Sequence, residues 1–200
     1  MTQVDDSSSH PGAVSTNDPG DPILLPALTS TGPAGVPTGF PQTAAGAMAQ
    51  LVAIDQVVLQ SGSIAAAREV ILQWALPGGP TPENWSTSSA LVHLLSSAQT
   101  GGTSQLAVVL SPLMGQIKGR IGSDFVIPCV DFELDVTLTS TARGAVADCQ
   151  RMVWTRAPSG TGGRWMIGAG SEPAEAPAVW PGTDLSFAVG YSYLQREPSR

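Results

Sequence analysis

Beyond Gly102 the apolar period of this chain changes from about 3.6 residues to 2. Val130, Phe132, Leu134, Val136 and Leu138 alternate with Asp131, Glu133, Asp135, Thr137 and Thr139. A strand over 125–139 therefore carries apolar side chains on one face and exposes three carboxylates on the other. Weaker strand patterns cover 106–110 and 114–121 before it. A turn at 141–144 leads to a return strand over 145–155, and a second turn at 160–163 to another strand at 164–167. Upstream, Met48, Leu51, Val52, Asp55 and Leu59 recur at spacings of three and four, which predicts a helix capped by Thr43 and stopped at Gly62. Ser63 opens a second helix, with Ile64, Ala67, Val70, Ile71 and Trp74 on its apolar face. Thr81-Pro82-Glu83 is a third start signal, for a helix that carries Trp85, Leu91, Val92, Leu94 and Leu95 and ends before Gly101-Gly102. Thr183 caps a last helix over 184–194. Helices followed by an antiparallel meander imply an α+β fold, with N-terminal helices packed on a curved antiparallel sheet.

Residues 1–40 contain six prolines among Gly, Ser and Thr. They read as an extended or disordered tail, because such a segment has little to bury against its ordering entropy. One α+β domain follows over 41–195, and 196–200 is a frayed end. Within the tail, Ile23, Leu24, Leu25 and Leu28 form an apolar patch that either docks on its own domain or receives a partner. Nine Lys and Arg against 16 Asp and Glu leave a net charge of −7, which argues against direct nucleic-acid contact. No stretch approaches the ~20 apolar residues that span a bilayer, so no membrane insertion is expected. The first ten residues hold no apolar core of a signal peptide, so the expectation is a cytoplasmic protein, with an extracytoplasmic one as the alternative.

Few residues are left for chemistry. Asp131, Glu133 and Asp135 are close enough to bind a hard cation or raise one another's pKa, but an exposed sheet face whose acids meet Lys118, Arg120 or Arg151 accounts for them. Cys129 and Cys149 lie opposite one another if the hairpin between them turns near residue 139, and out of register if it turns at Ala142-Arg143. A disulfide, two buried thiols and a redox pair all remain open, with buried reduced thiols the default for a chain without a signal peptide. His93 stands mid-helix, and Trp154 and Trp165 flank the turn at 160–163, where their rings can stack across the hairpin. The nucleophile elbow, the phosphate loop and the His-Glu-x-x-His motif are all missing from the sequence. No cofactor and no metal is expected.

Gly35-Val36-Pro37-Thr38-Gly39-Phe40, leading into Thr43-Ala44-Ala45-Gly46-Ala47, resembles the entry to the first helix in a group of uncharacterised actinobacterial proteins. The stretches Pro128-Cys129-Val130-Asp131-Phe132-Glu133, Ala147-Asp148-Cys149-Gln150-Arg151-Met152, Gly163-Arg164-Trp165-Met166-Ile167-Gly168 and Trp180-Pro181-Gly182-Thr183 are similar to the same group. Such proteins are typically encoded within integrative and conjugative elements. The helix-then-sheet order also resembles the nuclear-transport-factor-2-like, cystatin-type cone of periplasmic conjugation subunits. Together these resemblances imply a non-enzymatic protein-interaction component, accessory to a conjugative DNA-transfer apparatus, with proteins of that machinery as partners. The alternative is a small-molecule-binding or enzymatic cone-fold protein. Its pocket would lie between helices and sheet, with His93, Asp131, Asp135 and Trp154 as candidate residues.

Overall fold

The structure, a computed structural model, describes residues 5–100, 107–137, 141–158 and 162–198. Strand β1 (Ile23–Leu25) and the short pair β2 (Ser30–Thr31) and β3 (Pro37–Thr38) precede helices α1 (Ala44–Ser61), α2 (Ile64–Trp74) and α3 (Ser86–Thr100). Strands β4 (Ala107–Ile121), β5 (Phe125–Thr137), β6 (Thr141–Cys149), β7 (Met152–Arg156) and β8 (Gly163–Ile167) follow, then helix α4 (Asp184–Ala188) and strand β9 (Ser192–Arg196). The main sheet has seven strands in the order β1-β9-β4-β5-β7-β8, with β6 also paired to β5. It curls around α1, which touches β1, β4, β5, β7 and β8. The fold is α+β, as the change of period implies.

The helix caps follow the sequence at α1 and α2. Thr43 accepts the Gly46 amide at 3.0 Å, Gly62 closes α1 in the left-handed region, and Ser63 accepts the Ala66 amide at 3.3 Å. Helix α3 starts later than the Thr81 signal predicts. Asn84 folds back to accept the Thr81 amide at 2.6 Å, and the Trp85 amide reaches the Thr81 carbonyl at 3.0 Å. These bonds close a turn over 82–84, and Ser86 is the first helical residue.

The strand boundaries shift for equally local reasons. The patterns at 106–110 and 114–121 join in one strand, β4: a register shift between Pro112 and Met114 absorbs the proline that cannot donate to the ladder, and a second lies between Ile117 and Gly119. Residues 141–144 are the start of β6 and not a turn. Leu138 and Thr139, like Gly101-Gly102, Leu106 and much of the 160–163 turn, lie outside the described residues. The return strand is broken at Gln150-Arg151, where the chain leaves β6 for β7. The last helix stops after one turn: Gly190 has φ +99°, a conformation L side chains rarely adopt, and the chain beyond it runs as β9 between β1 and β4.

Residues 23–40 are packed against the helices and the sheet, and the extended tail expected there begins to make contacts well before residue 41. Leu25, Val36 and Phe40 are buried in the main core. The indole of Trp74 donates to the Pro33 carbonyl at 3.1 Å, and that of Trp165 to the Pro41 carbonyl at 2.9 Å. These two buried tryptophans would otherwise hold unsatisfied N–H groups, so the proline-rich segment completes the core. In the Ile23, Leu24, Leu25, Leu28 patch, β1 pairs in parallel with β9, leaving Leu24 and Leu28 exposed. At the other end, the Glu197 amide donates to the Leu25 carbonyl, so part of the expected frayed terminus is also tied down.

Candidate functional site

The site begins with helix α1, whose apolar run 47–59 is interrupted by Gln50, Asp55 and Gln56. Gln50 is fully buried, yet it donates to the Pro37 carbonyl at 3.0 Å and accepts from the Thr38 hydroxyl at 2.7 Å. Gln56 donates to the Leu110 carbonyl at 2.8 Å. Both tie α1 to neighbouring backbone. Asp55 differs: it is 1% exposed, and among the described residues neither carboxylate oxygen has a hydrogen-bond partner. Burial raises its pKa well above the ordinary carboxylate range, and the nearby carboxylates of Asp148 and Glu172 raise it further.

Asp148 reaches the same place from the sheet. It stands opposite Val130 in the β5–β6 ladder, two residues from Val146, and so faces the helices together with Phe132. Its Oδ1 accepts from the Gln150 amide at 3.0 Å, while its Oδ2 has no partner among the described residues. Burial pushes its pKa up to about 7, partly countered by the Gln150 hydrogen bond and reinforced by Glu172. Gln150 bridges to Glu172 at 2.8 Å, and Glu172 in turn accepts from the Ser86 hydroxyl at 2.9 Å and from the Ser86 amide at 3.2 Å. The chain Asp148–Gln150–Glu172 therefore ends on the first residue of α3, where a carboxylate complements unpaired helix N–H groups.

Between α1, α3 and the inner face of β5–β6 lies a cavity of about 480 Å³. Leu59, Leu94, Phe132 and Leu134 form apolar wall, Asp55 and Asp148 line it, and His93 and Glu175 also border it. Its volume falls within the range of small-molecule sites, roughly 300–1,000 Å³. No Lys or Arg is among the lining residues.

Of the residues expected at a helix–sheet pocket, the structure brings only His93 to this cavity. Asp131 lies on the opposite face of β5 and is 0% exposed, where the alternation predicts an exposed acid. The face is outward, but it is covered: Met114, Cys129, Cys149, Ala176, Val179 and Tyr191 build a second small core there. Residues 8–15 help hold that cover, since the Trp180 amide donates to the Ser8 carbonyl at 2.7 Å and the Ser15 amide to the Gly182 carbonyl at 2.7 Å. Burial pushes the Asp131 pKa to about 8; the Val179 amide faces it and counters part of that rise but falls short of hydrogen-bonding geometry. Asp135 is bound at 2.9 Å by Arg143, which also pairs with Glu133. The acids thus meet Arg143 instead of Lys118, Arg120 or Arg151, because Arg143 is the direct cross-strand partner of Asp135. Trp154 sits opposite Trp165 with the rings edge to face at 5.4 Å.

Cys129 and Cys149 are joined by a disulfide in place of the reduced thiols taken as the default. They are direct register partners, the geometry required by a hairpin turning near residue 139. That register also decides where Asp148 points: whichever turn sets Cys129 against Cys149 sets Asp148 against Val130 on the inner face. The two carboxylates of the cavity thus had sequence signals, an acid inside the apolar stripe of α1 and a register fixed by two cysteines. In the sequence Asp55 stands only as part of a helical face, and Asp148 only within the stretch 147–152.

Two buried carboxylates whose pKa values are raised by burial and by neighbouring acids can receive hydrogen-bond donors from a guest. Among the described residues no group of three or more His, Cys, Asp or Glu is arranged to hold a metal ion, and no helix is long and apolar enough to cross a membrane. Compared with protein-family models, with curated proteins and with solved structures, the chain matches none.

Proposed function

We propose that this protein binds a small, largely apolar molecule carrying one polar group, in the cavity between α1, α3 and the inner face of β5–β6. The observation that carries this reading is Asp55: a fully buried carboxylate with no hydrogen-bond partner among the described residues, on the wall of a cavity of about 480 Å³. An unpartnered buried acid costs stability, whereas the other polar residues buried along α1 are satisfied. Helices seated in the curl of an antiparallel sheet support taking the fold as a variant of the nuclear-transport-factor-2-like cone. The reading is of binding. Fragment screening by NMR on the disulfide-bonded chain tests it. Amide shifts induced by apolar fragments should cluster on α1, α3 and β6, and Val146→Phe, which fills the space beside Phe132, should abolish them. Shifts that survive the filled cavity would place binding elsewhere.

A second reading, a protein-interaction role accessory to conjugative DNA transfer, is supported by Leu24 and Leu28, 47% and 50% exposed on and beside the edge strand β1. Leu24→Asp with Leu28→Asp should then abolish co-purification with transfer-apparatus proteins from the native host and leave fragment binding intact. The Cys129–Cys149 bridge supports an oxidising, extracytoplasmic setting over the cytoplasm.

A further inference from the structure

The cavity has a sign as well as a volume. Apart from His93, every ionisable residue on its wall is an acid: Asp55 from α1, Asp148 from β6 and Glu175 from the segment before α4. Glu172 stands behind them and raises the pKa of both Asp55 and Asp148. The arginines that form ion pairs among the described residues do so elsewhere, Arg68 with Glu83 and Arg143 with Glu133 and Asp135. Three carboxylate oxygens, both of Asp55 and Oδ2 of Asp148, face no donor among the described residues. A neutral hydroxyl guest of matching shape can donate to one of these oxygens but brings no charge against the acids. A guest with an ammonium group brings up to three donors and a positive charge to the place where both are lacking.

Resting on the cavity reading above, we infer that the ligand is an organic ammonium ion: a primary or secondary amine with an apolar body against Leu59, Leu94, Phe132 and Leu134, its charged nitrogen held between Asp55 and Asp148. Binding in this form requires the acid pair to give up its proton. Affinity therefore rises with pH through about 7, the region to which burial pushes Asp148, and the protein releases a proton as it binds below that pH. The groups facing the nitrogen are Asp55 on α1, His93 on α3, Asp148 on β6, and Glu172 and Glu175 from the covering segment.

The test is titration calorimetry on the full chain, disulfide intact, with matched pairs of probes: butylamine and butanol, cyclohexylamine and cyclohexanol, benzylamine and benzyl alcohol. The expected result at pH 8 is that the amine of at least one pair binds about tenfold or more tightly than its alcohol, a difference of about 1.4 kcal/mol. Below pH 7 the measured heat should vary with the ionisation heat of the buffer, reporting the released proton. Asp55→Asn and Asp148→Asn should each bring the pair towards parity while alcohol binding persists. Both variants remove a buried acid and should melt no lower than the parent at pH 8, so loss of preference cannot be ascribed to unfolding. Glu83→Gln, whose carboxylate pairs with Arg68 on the surface away from the cavity, should leave preference and pH dependence in place. If alcohols bind as tightly as amines, the ammonium inference is overturned and the cavity reading stands. If no probe of either kind binds at millimolar concentration, the cavity reading fails and takes the inference with it.

Discussion

Strand β5 has a buried carboxylate on one side and borders a pair of them on the other, and the two sides behave differently. Asp131, on the outer face, is enclosed by the cover that holds Val179 and Tyr191, next to the disulfide. Burial and the proximity of Asp131 together push the Tyr191 hydroxyl well above its usual range. Asp55 and Asp148, on the inner side, share with Asp131 their burial, unpartnered oxygens and raised pKa. What differs is space. The inner pair lines a cavity of about 480 Å³, and Asp131 is not among the residues lining it. A perturbed carboxyl marks a binding site only where a guest can reach it; elsewhere it is a stability cost built into the packing.

The contrast can be broken most forcefully through Phe132. Its side chain is the inner-face neighbour of Asp131 and forms cavity wall, so Phe132→Ala should cost ~3–5 kcal/mol of stability in chemical denaturation. A loss no larger than that of a surface substitution would mean that the inner face is not the core face. Next in size is the disulfide. Cys129→Ala with Cys149→Ala opens a link across a sequence separation of 20 residues and should cost ~2–4 kcal/mol. The loss should fall on the outer cover, with faster amide exchange at 176–180, while fragment binding inside the cavity persists.

A pH series separates the two kinds of acid. The folded state holds the Asp131 proton up to about pH 8, whereas the unfolded chain releases it near pH 4. Below both values the two states bind the proton equally, so stability falls as pH rises from about 4 to 8. Asp131→Asn should remove that fall, on the order of 5 kcal/mol across about four pH units at about 1.4 kcal/mol each, measured by thermal melting across the range, and leave ligand binding unchanged. Asp148→Asn should flatten the curve in the same direction but also alter ligand binding. Equal effects of the two substitutions on binding would erase the distinction between the faces. The smallest effect expected is at the end of the outer face. The Glu133 side chain is 12% exposed there, against the exposed acid that the alternation predicts, but it faces half-exposed Arg143. Glu133→Ala, which loses only its pairing with half-exposed Arg143, should stay within about 0.5 kcal/mol.

Period and capping chemistry were enough for the class of fold and for most of its elements. Thr43, Gly62 and Ser63 place α1 and α2 because a cap is a local hydrogen bond that needs no tertiary partner. The alternation along 130–136 places Val130, Phe132 and Leu134 towards the helices because a strand's side chains must point to opposite faces. Which of those faces meets water is not a local property. Asp131 is outward as the alternation requires, yet buried, because residues 8–15 and 176–191 return from distant parts of the chain to cover it. The same holds for residues 23–40, whose composition suggests a tail and whose carbonyls are needed by Trp74 and Trp165. It holds most of all for the cavity. Asp55 and Asp148 are separated by most of the domain, and each alone is an acid in an apolar pattern. The β5–β6 register and the seat of α1 in the curl of the sheet bring them to one wall. A periodicity states which side of an element a residue faces; only the packing of elements states whether that side holds solvent, another layer or an empty space.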